Sequence, residues 1–227
     1  MTDVTSRPMR ADGRRNRQRV LEAAVALFAD EGLKVPIEEV AQRAGVGVGT
    51  VCRHFPTKEA LIEAALTGMC EQLLEHARLA LTDPDAGRAF AAFVTALADF
   101  QGHHRALAEE MASTIDLPTS TLQLKQALHE SVTELVEHAQ QAGAVREDIG
   151  PADMAMLFAG IAHAAGLAGV DPVLRERYLA IVLDGLRPLE PTALPGRPLS
   201  FEELDRLLRS SESRAGTGSS AKGRSVA

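Results

Sequence analysis

The residues of this chain best suited to chemistry are arginines, and they cluster near its N-terminus. Six of them fall within thirteen residues, opposed only by Asp12: Arg7, Arg10, Arg14, Arg15, Arg17 and Arg19. Guanidinium groups hydrogen-bond phosphate oxygens well, so the cluster indicates either contact with a polyanion or a solvated, disordered leader. The sequence that follows the cluster decides between these two interpretations.

A second group of polar side chains lies on a short helix predicted over residues 48–55. Val51 and Phe55 are four residues apart and point one way, while three polar residues lie elsewhere on its surface: Thr50, Arg53 and His54. A two-turn helix is predicted just before it, over residues 37–44, with a Gly-containing turn between the two. This arrangement is typical of a helix-turn-helix, whose second helix enters the major groove of DNA.

The charge of the chain is uneven in a way that suits this interpretation. The formal net charge is −7, yet residues 1–58 carry 10 lysines and arginines against 7 acidic residues. Residues 59–227 carry 14 basic residues against 24 acidic ones. A basic N-terminal part on an acidic body predicts that only the N-terminal part meets nucleic acid.

The elements that must position these residues are all predicted to be helices, because the apolar residues recur with the helical period and not with strand alternation. The chain therefore has a predicted all-α fold. Its two cysteines, the absence of an apolar leader and the absence of a membrane-length apolar run favour a cytoplasmic protein with no membrane contact. Ser200 and Glu203 have capping-box spacing, so a short extra helix is expected after a proline-rich stretch.

The predicted organisation has six parts. They are a disordered basic arm (1–13), a helix-turn-helix DNA-binding domain (14–58), a helical body (59–187), a Pro-rich linker (188–199), a short extra helix (200–210) and a disordered tail (211–227). Helices are predicted over residues 16–30, 37–44, 48–55, 58–80, 84–101, 104–113, 119–141, 151–167, 172–186 and 200–209.

The run GLKVPIEEVAQRAGVGVGTVCRHFPTKEAL, residues 32–61, closely resembles the DNA-binding domain of the tetracycline-repressor (TetR) family. The preceding RRNRQRVLEAAVALFADEG fits the same pattern, so the resemblance covers about residues 14–65. It implies an all-α protein with an N-terminal three-helix DNA-binding domain and a C-terminal helical ligand-binding and dimerisation domain. It further implies a homodimeric transcriptional regulator, most often a repressor, that a small-molecule effector releases from a pseudo-palindromic double-stranded DNA operator.

The resemblance also implies roles for individual positions. Thr50, His54 and Lys58 would meet phosphates, and Val48, Gly49 and Arg53 would face the groove. Arg53 is the best candidate for a bidentate guanine contact, although an arginine here also fits a phosphate contact or an ion pair with Glu59. Arg14 and Arg15 are expected to attract phosphate, with insertion into a minor groove as the alternative.

Cys52 is a departure from the family pattern, because this position usually holds a tyrosine whose hydroxyl contacts a phosphate. One such contact is therefore in doubt, although Cys52 still lies on the DNA-facing helix. A thiol next to DNA also suggests a redox sensor, since a bulky oxidised sulfur would clash with the duplex. An inert small residue is the favoured interpretation.

The predicted dimer interface lies on the last two main helices. The helix over 151–167 has little polar surface on any side, and such a helix must be buried, either in an interface or in the core of one chain. An interface is favoured because the family layout and two-fold symmetry both accommodate it. The predicted interface residues are Met154, Leu157, Phe158, Ile161, Ala164, Ala165, Ala168, Tyr178, Ile181 and Val182.

The effector pocket is the least specified site. The candidate lining residues are Phe90, Phe93, Phe100, Met111, Leu122, His129 and Phe158, although a phenylalanine stripe at helical spacing is more typical of a core. No metal site or cofactor is expected, because the histidines lack ligand spacing. Two other classes stay open: a helical hydrolase using His103, His104 and His129, and an adaptor that binds protein. Neither explains the helix-turn-helix, and no catalytic motif is present.

Overall fold

The computed structural model of the protein describes residues 6–104, 106–108, 110, 118–168, 172–189 and 191–207, with side chains except at 6–11, 159, 161–168, 172 and 175. The described residues contain helices and no strand, which confirms the all-α prediction. The helices are α1 Ser6–Glu31, α2 Ile37–Ala44, α3 Val48–His54, α4 Lys58–Leu81, α5 Ala86–His103, α6 Thr119–Gln141, α7 Pro151–Ala168 and α8 Pro172–Gly185. A further helical segment covers residues 201–207, and residues 106–108 and 110 are also helical.

Helix α1 begins earlier than predicted. Residues 6–13, expected to be part of a disordered arm, form its first two turns. Arginine, methionine and alanine dominate this stretch, and all three are strong helix formers. Pro8 stands in the first turn, where a backbone N–H has no helical partner and its loss costs little. The predicted arm over residues 1–13 is therefore wrong from Ser6 onward.

The turn between α2 and α3 is sharp because Gly45 adopts a left-handed conformation, with φ 65° and ψ 39°. Its N–H donates to the Gln42 carbonyl at 3.1 Å, and the Val46 N–H donates to the Ala41 carbonyl at 3.0 Å. These bonds satisfy the last carbonyls of α2. A Cβ at position 45 would also meet the Arg19 guanidinium at 2.8 Å. Glycine here therefore sets the angle at which α3 leaves α2.

Helix α4 belongs to two apolar cores. Leu61, Ala65, Leu66 and Met69 pack in an N-terminal core with α1, α2 and α3, which we call the head core. Further along the same helix, Leu73, Leu74 and Ala77 pack in a second core with α5 to α8, the body core. The side chain of Phe100 packs against both cores. A single continuous helix therefore joins the head core to the body core.

Residues 191–207, which we call the C-terminal strap, lie against the body. The Arg146 guanidinium donates to the Thr192 carbonyl at 2.6 Å, and the Leu194 N–H donates to an Asp148 carboxylate oxygen at 3.2 Å. The strap helix, residues 201–207, begins with the predicted capping box, since the Glu203 N–H donates to Ser200 Oγ at 3.2 Å and the Ser200 N–H donates to Glu203 Oε2 at 3.0 Å. The predicted tail over residues 211–227 lies outside the described residues.

Two properties of the described residues concern membranes and metal ions. None of these helices combines the length and apolarity that a membrane crossing requires. The same residues contain no group of three or more His, Cys, Asp or Glu side chains arranged to hold a metal ion.

Candidate nucleic-acid interface

Helix α3 is fixed to the head core by two apolar residues. Val51 is 0% exposed and Phe55, directly after the helix, is 2% exposed. The Phe55 N–H donates to the Val51 carbonyl at 2.8 Å and closes the end of the helix. The predicted division of this helix is confirmed, because its apolar pair points inward and holds a seven-residue element in place.

The opposite side of α3 is open to solvent and carries no acidic residue. The structure leaves four of the predicted DNA-contact residues exposed, namely Val48, Gly49, Cys52 and Arg53. Thr50, His54 and Lys58 are half-buried along the edges of this surface. The structure thus brings these seven predicted residues together on one face, which we call the α3 face.

Helix α1 extends this surface on one side. Gly13 lies close to α3, since a Cβ on it would be 4.0 Å from Cε1 of His54. One turn later, the Arg17 guanidinium carbon stands 5.0 Å from the centre of the Phe55 ring, a cation–π distance. Arg14 and Arg15 are exposed on the same part of α1, and Arg15 pairs with Asp12. The sequence showed Arg17 only as one of six clustered arginines. In the structure it holds α1 against Phe55, the residue that anchors α3.

Arg53 does not form the ion pair that offered an alternative to a base contact. No salt bridge joins it to Glu59 anywhere in the described part of the chain. Glu59 instead interacts with the start of its own helix. Its own backbone N–H and then the Thr57 hydroxyl, both hydrogen-bonding its carboxylate, lower its pKa. The Arg53 guanidinium is therefore available to a ligand on the α3 face.

The start of α4 places Lys58 beside this face. Thr57 is the N-cap residue, and its hydroxyl oxygen accepts the Ala60 N–H at 3.1 Å. Such a cap stabilises the first turn of a helix by about 1 kcal/mol. The Thr57 hydroxyl and the Glu59 carboxylate occupy backbone N–H groups of that turn, so the group that suits a phosphate here is the Lys58 ammonium.

The two cysteines occupy different environments. Cys52 is exposed on the α3 face, and Cys70 is buried in α4. Burial, the main cause, raises the pKa of the Cys70 thiol to about 11. Cys70 is thus held as a neutral thiol, because a thiolate would be costly in the core. The redox hypothesis for Cys52 stays a prediction.

The predicted dimer residues separate into three groups. Met154 and Phe158 point into the chain's own body core, at 3% and 0% exposure. Leu157, Tyr178 and Ile181 are exposed apolar residues, and Val182 is half-buried. Exposed neighbours that the sequence analysis did not single out add to this apolar surface: Met156, Val173 and Leu174. The remaining predicted side chains lie outside the described ones: Ile161, Ala164, Ala165 and Ala168.

The predicted pocket residues are likewise dispersed. Phe90, Phe93 and Phe158 are buried in the body core, which is the role that a phenylalanine stripe at helical spacing favours. Phe100 is half-buried, Leu122 is exposed, and Met111 lies outside the described residues. A cavity of about 530 Å³ lies elsewhere, between α7, the end of α8 and the strap, and none of the seven predicted residues lines it.

His129 is the one predicted pocket residue with an unexpected neighbour. Its ring stacks on Phe201 of the strap helix, with centroids 3.8 Å apart and an angle of 7° between the rings. Burial first, and then the nearby Lys125 ammonium, lower the pKa of His129 to about 4, so its imidazole is neutral at neutral pH. Lys125, one turn earlier on α6, forms an ion pair with Asp205 at 3.2 Å.

Two buried polar atoms lie near the joint between the cores. Gln101 Oε1 and His104 Nδ1 have no hydrogen-bond partner in the described part of the chain. The His104 ring lies 4.5 Å from that of Phe100. Burial, and to a lesser degree His103, lower the pKa of His104. No sequence motif marks either residue, because their burial depends on the packing of α5 against other helices.

Comparison with known proteins places both halves of the chain. Residues 20–65 match the family model for bacterial regulatory proteins of the tetR family. Residues 85–188 match the model for the C-terminal domain of SbtR-like transcriptional regulators. The strap lies beyond the second match.

Individual relatives agree with these matches. A TetR transcription regulatory protein from Mycobacterium vanbaalenii is 36% identical and superposes with a TM-score of 0.60, over 79% of this chain and 99% of that one. The transcriptional repressor KstR2 from Rhodococcus jostii is 27% identical over 188 residues, which is 75% of this chain and 90% of KstR2. The regulator FadR from Bacillus subtilis, solved with stearoyl-CoA, shares the fold, with a TM-score of 0.58 at 15% identity over 75% of this chain and 99% of that one.

Proposed function

The chain belongs to the TetR family of transcriptional regulators, and on that basis we propose that it is a homodimeric repressor released from a pseudo-palindromic operator by a small-molecule effector. The observation that carries the DNA-binding part is the α3 face. A short helix is locked to the head core by Val51 and Phe55, while its other side presents an unpaired arginine and no acid. Such a helix suits the major groove, where a rigid element can present side chains to base edges.

We assign the contacts by position on this face. Val48, Gly49, Cys52 and Arg53 are exposed and point away from the core, so they would meet the groove. Thr50, His54 and Lys58 lie on its edges, where the phosphate backbone passes, and Arg14 and Arg15 on α1 would meet phosphates next to it. A bidentate contact from Arg53 to guanine would provide about 1–3 kcal/mol of discrimination.

The exposed apolar surface of α7 and α8 supports a dimer. Tyr178 and Ile181 are 47% and 56% exposed, and Leu157 lies on the neighbouring helix. Contiguous apolar surface of this kind marks an interaction site. A two-fold axis through it would pair identical faces and place the two α3 helices against successive major grooves.

An effector in the body would act by a population shift. The helix α4 is shared between the head core and the body core, so a ligand that favours one orientation of α4 also favours one spacing of the two heads. A ligand that binds better to the widely spaced dimer would weaken DNA binding by the ratio of its two affinities. FadR was solved with stearoyl-CoA, which shows that this fold can hold a small molecule.

The test of DNA recognition is selection from random duplex DNA. We expect a pseudo-palindromic winner that binds about a thousandfold or more tighter than a scrambled duplex at several salt concentrations. Equal and steeply salt-dependent binding to both duplexes would contradict operator recognition, because it reports phosphate attraction alone.

The test of the dimer is sedimentation of a variant. We expect Ile181→Asp to sediment as a monomer, because it places a charge in the apolar interface. Leu79→Asp is the matched control, since Leu79 is an exposed leucine on α4, at 58% exposure. A dimeric Ile181→Asp protein would contradict the proposed interface.

A further inference from the structure

The strap helix is docked on α6 by replaceable contacts. Phe201 stacks on His129, Asp205 pairs with Lys125, and Leu204 is 8% exposed. The two contact residues on each helix are four positions apart. The two helices therefore meet through one pair of stacked rings and one ion pair. These contacts join residues that lie far apart in the chain and are independent of the head core.

The strap helix can detach from α6 while the rest of the strap stays bound to the body. The described part of the strap helix has seven residues, and isolated helices shorter than about 12–15 residues are marginal in water, so the strap helix depends on its docking contacts. The preceding residues are held separately, by Arg146 at the Thr192 carbonyl and by Asp148 at the Leu194 N–H. Pro198 also packs against Gly150, where a Cβ would approach its Cβ to 2.8 Å. Opening of residues 201–207 is therefore a local event of low free energy.

The surface under the strap helix favours a ligand with a particular chemistry. The Lys125 side chain is only 18% exposed, and its described acidic partner, Asp205, leaves with the strap helix. An ammonium left partly buried without an anion is costly, so the opened site favours a carboxylate. The neutral imidazole of His129 offers a flat face beside it. One turn before Lys125, Thr121 is fully buried, and its hydroxyl forms a hydrogen bond of 3.0 Å with the Thr67 hydroxyl of α4. This part of α6 is therefore packed directly against α4.

We propose that the face of α6 bearing Lys125 and His129 binds a small aromatic carboxylate, and that the strap helix fills this site in the free protein. Phe201 and Asp205 supply the two groups that such a ligand must carry. Residues four apart on a helix have Cβ atoms about 5–6 Å apart, so we expect the ligand to join its ring and carboxylate by a short flexible chain. An arylalkanoate such as 3-phenylpropionate has such a chain.

This ligand class deepens the proposed function, because the site rests on α4, which also carries Lys58 next to the α3 face. The site itself can be measured without DNA. If the ligand binds but operator affinity is unchanged, the binding site is supported, and this ligand is not the effector. Loss of operator recognition in the random-duplex selection would contradict the proposed function and leave the site untouched.

The experiment is titration calorimetry of 3-phenylpropionate into the full chain and into Phe201→Ala/Asp205→Asn. If the strap helix is closed about 90% of the time or more, removing its two contact groups tightens binding at least about tenfold. Adding Lys125→Met to that variant should weaken binding by about tenfold or more, because a charged hydrogen bond is lost. Glu202→Ala/Arg206→Ala is the matched control, since both side chains are exposed on the same helix, and it should bind like the parent chain.

A ligand control isolates the contribution of the carboxylate charge. The neutral 3-phenylpropanamide should bind at least about tenfold more weakly than the acid, since it brings no charge to Lys125. Equal affinity for acid and amide, or no tightening in the double variant, would overturn the proposal.

A second measurement covers the case in which the double variant fails to fold. In the unaltered chain, 3-phenylpropionate should speed hydrogen exchange of the backbone N–H groups at residues 201–207. The neutral ligand 3-phenylpropanamide should not, because only the acid displaces the strap helix. Unchanged exchange with saturating acid would equally overturn the proposal.

Discussion

Two short helices, α3 and the strap helix, are held to this molecule in opposite ways. Helix α3 is fixed by Val51 and Phe55, which are nearly completely buried, and its polar side chains remain available. The strap helix also buries Leu204, but it meets α6 through the ion pair of Asp205 and the stacked ring of Phe201. An element anchored by apolar burial keeps one position and presents its surface, whereas one anchored by a ring and a charge can be exchanged for a ligand that brings the same groups.

The largest expected effect is loss of the apolar anchor of α3. Phe55→Ala should lower the free energy of unfolding by about 3–5 kcal/mol, because it removes a buried ring and leaves a cavity. Chemical denaturation of the full chain measures this. Val48→Ala on the same helix is the control and should change stability by less than about 0.5 kcal/mol, since Val48 is exposed. A cost below about 1 kcal/mol for Phe55→Ala would remove the distinction between the two helices.

The next effect concerns the free surface of α3. Arg53→Ala should weaken operator binding by about 1–3 kcal/mol and relax the preference at one base pair, with unchanged thermal stability. Affinity for the selected operator and for its single-base variants measures this. Arg78→Ala is the control, an exposed arginine in the last turn of α4. A uniform loss on all sequences, with a smaller salt slope, would instead identify Arg53 as a phosphate contact.

A smaller effect is expected from the strap. Phe201→Ala should lower stability by about 0.5–1.5 kcal/mol, because it removes one stacked pair from a local contact. Hydrogen exchange should accelerate within residues 201–207 and stay unchanged in α3, whereas Phe55→Ala should accelerate exchange throughout the head core. Acceleration in both regions for Phe201→Ala would show that the strap is part of the global core.

The smallest effect is the pH dependence of docking. Burial first, and then the Lys125 ammonium, lower the pKa of His129 to about 4 in the docked state, while Asp205 opposes this shift. Undocked, its pKa returns towards the ordinary value of about 6.5, so the open state binds more protons between these two values. Docking should therefore be complete above about pH 6.5 and weaken as the pH falls towards about 4.

The chain has no tryptophan, so Phe201→Trp provides a single fluorescent reporter of this docking. His129→Leu should abolish the pH dependence between about pH 6.5 and 4, since no titrating ring remains at the contact. An identical fluorescence titration with and without His129→Leu would show that another group controls docking.

The DNA-binding half could be predicted from the sequence because its signals are local. The Gly45 turn, the Thr57 cap and the inward spacing of Val51 and Phe55 each depend on residues within one or two turns of one another. Helix α1 was the exception, since its early start at Ser6 rests on helix propensity in a stretch whose charge suggested disorder.

The body could not be predicted to the same depth, because its contacts join distant residues. Lys125 and Asp205 are 80 positions apart, and Arg146 reaches Thr192 over 46. No periodicity indicates which residue of a later segment meets which residue of α6. The phenylalanines at helical spacing were a second difficulty, because the same pattern serves a pocket and a core, and Phe90, Phe93 and Phe158 are in the core.

The unbroken helix α4 also acts as a mechanical amplifier. Its 24 residues give a rod about 36 Å long. Pivoting it by about 5° at the body end would carry Lys58 through about 3 Å, roughly the full donor–acceptor length of a hydrogen bond. In a symmetric dimer the two ends would move in opposite directions and double the change. In the proposed dimer, a rearrangement of the body no larger than a side-chain rotation would therefore shift both α3 helices relative to the DNA helical repeat.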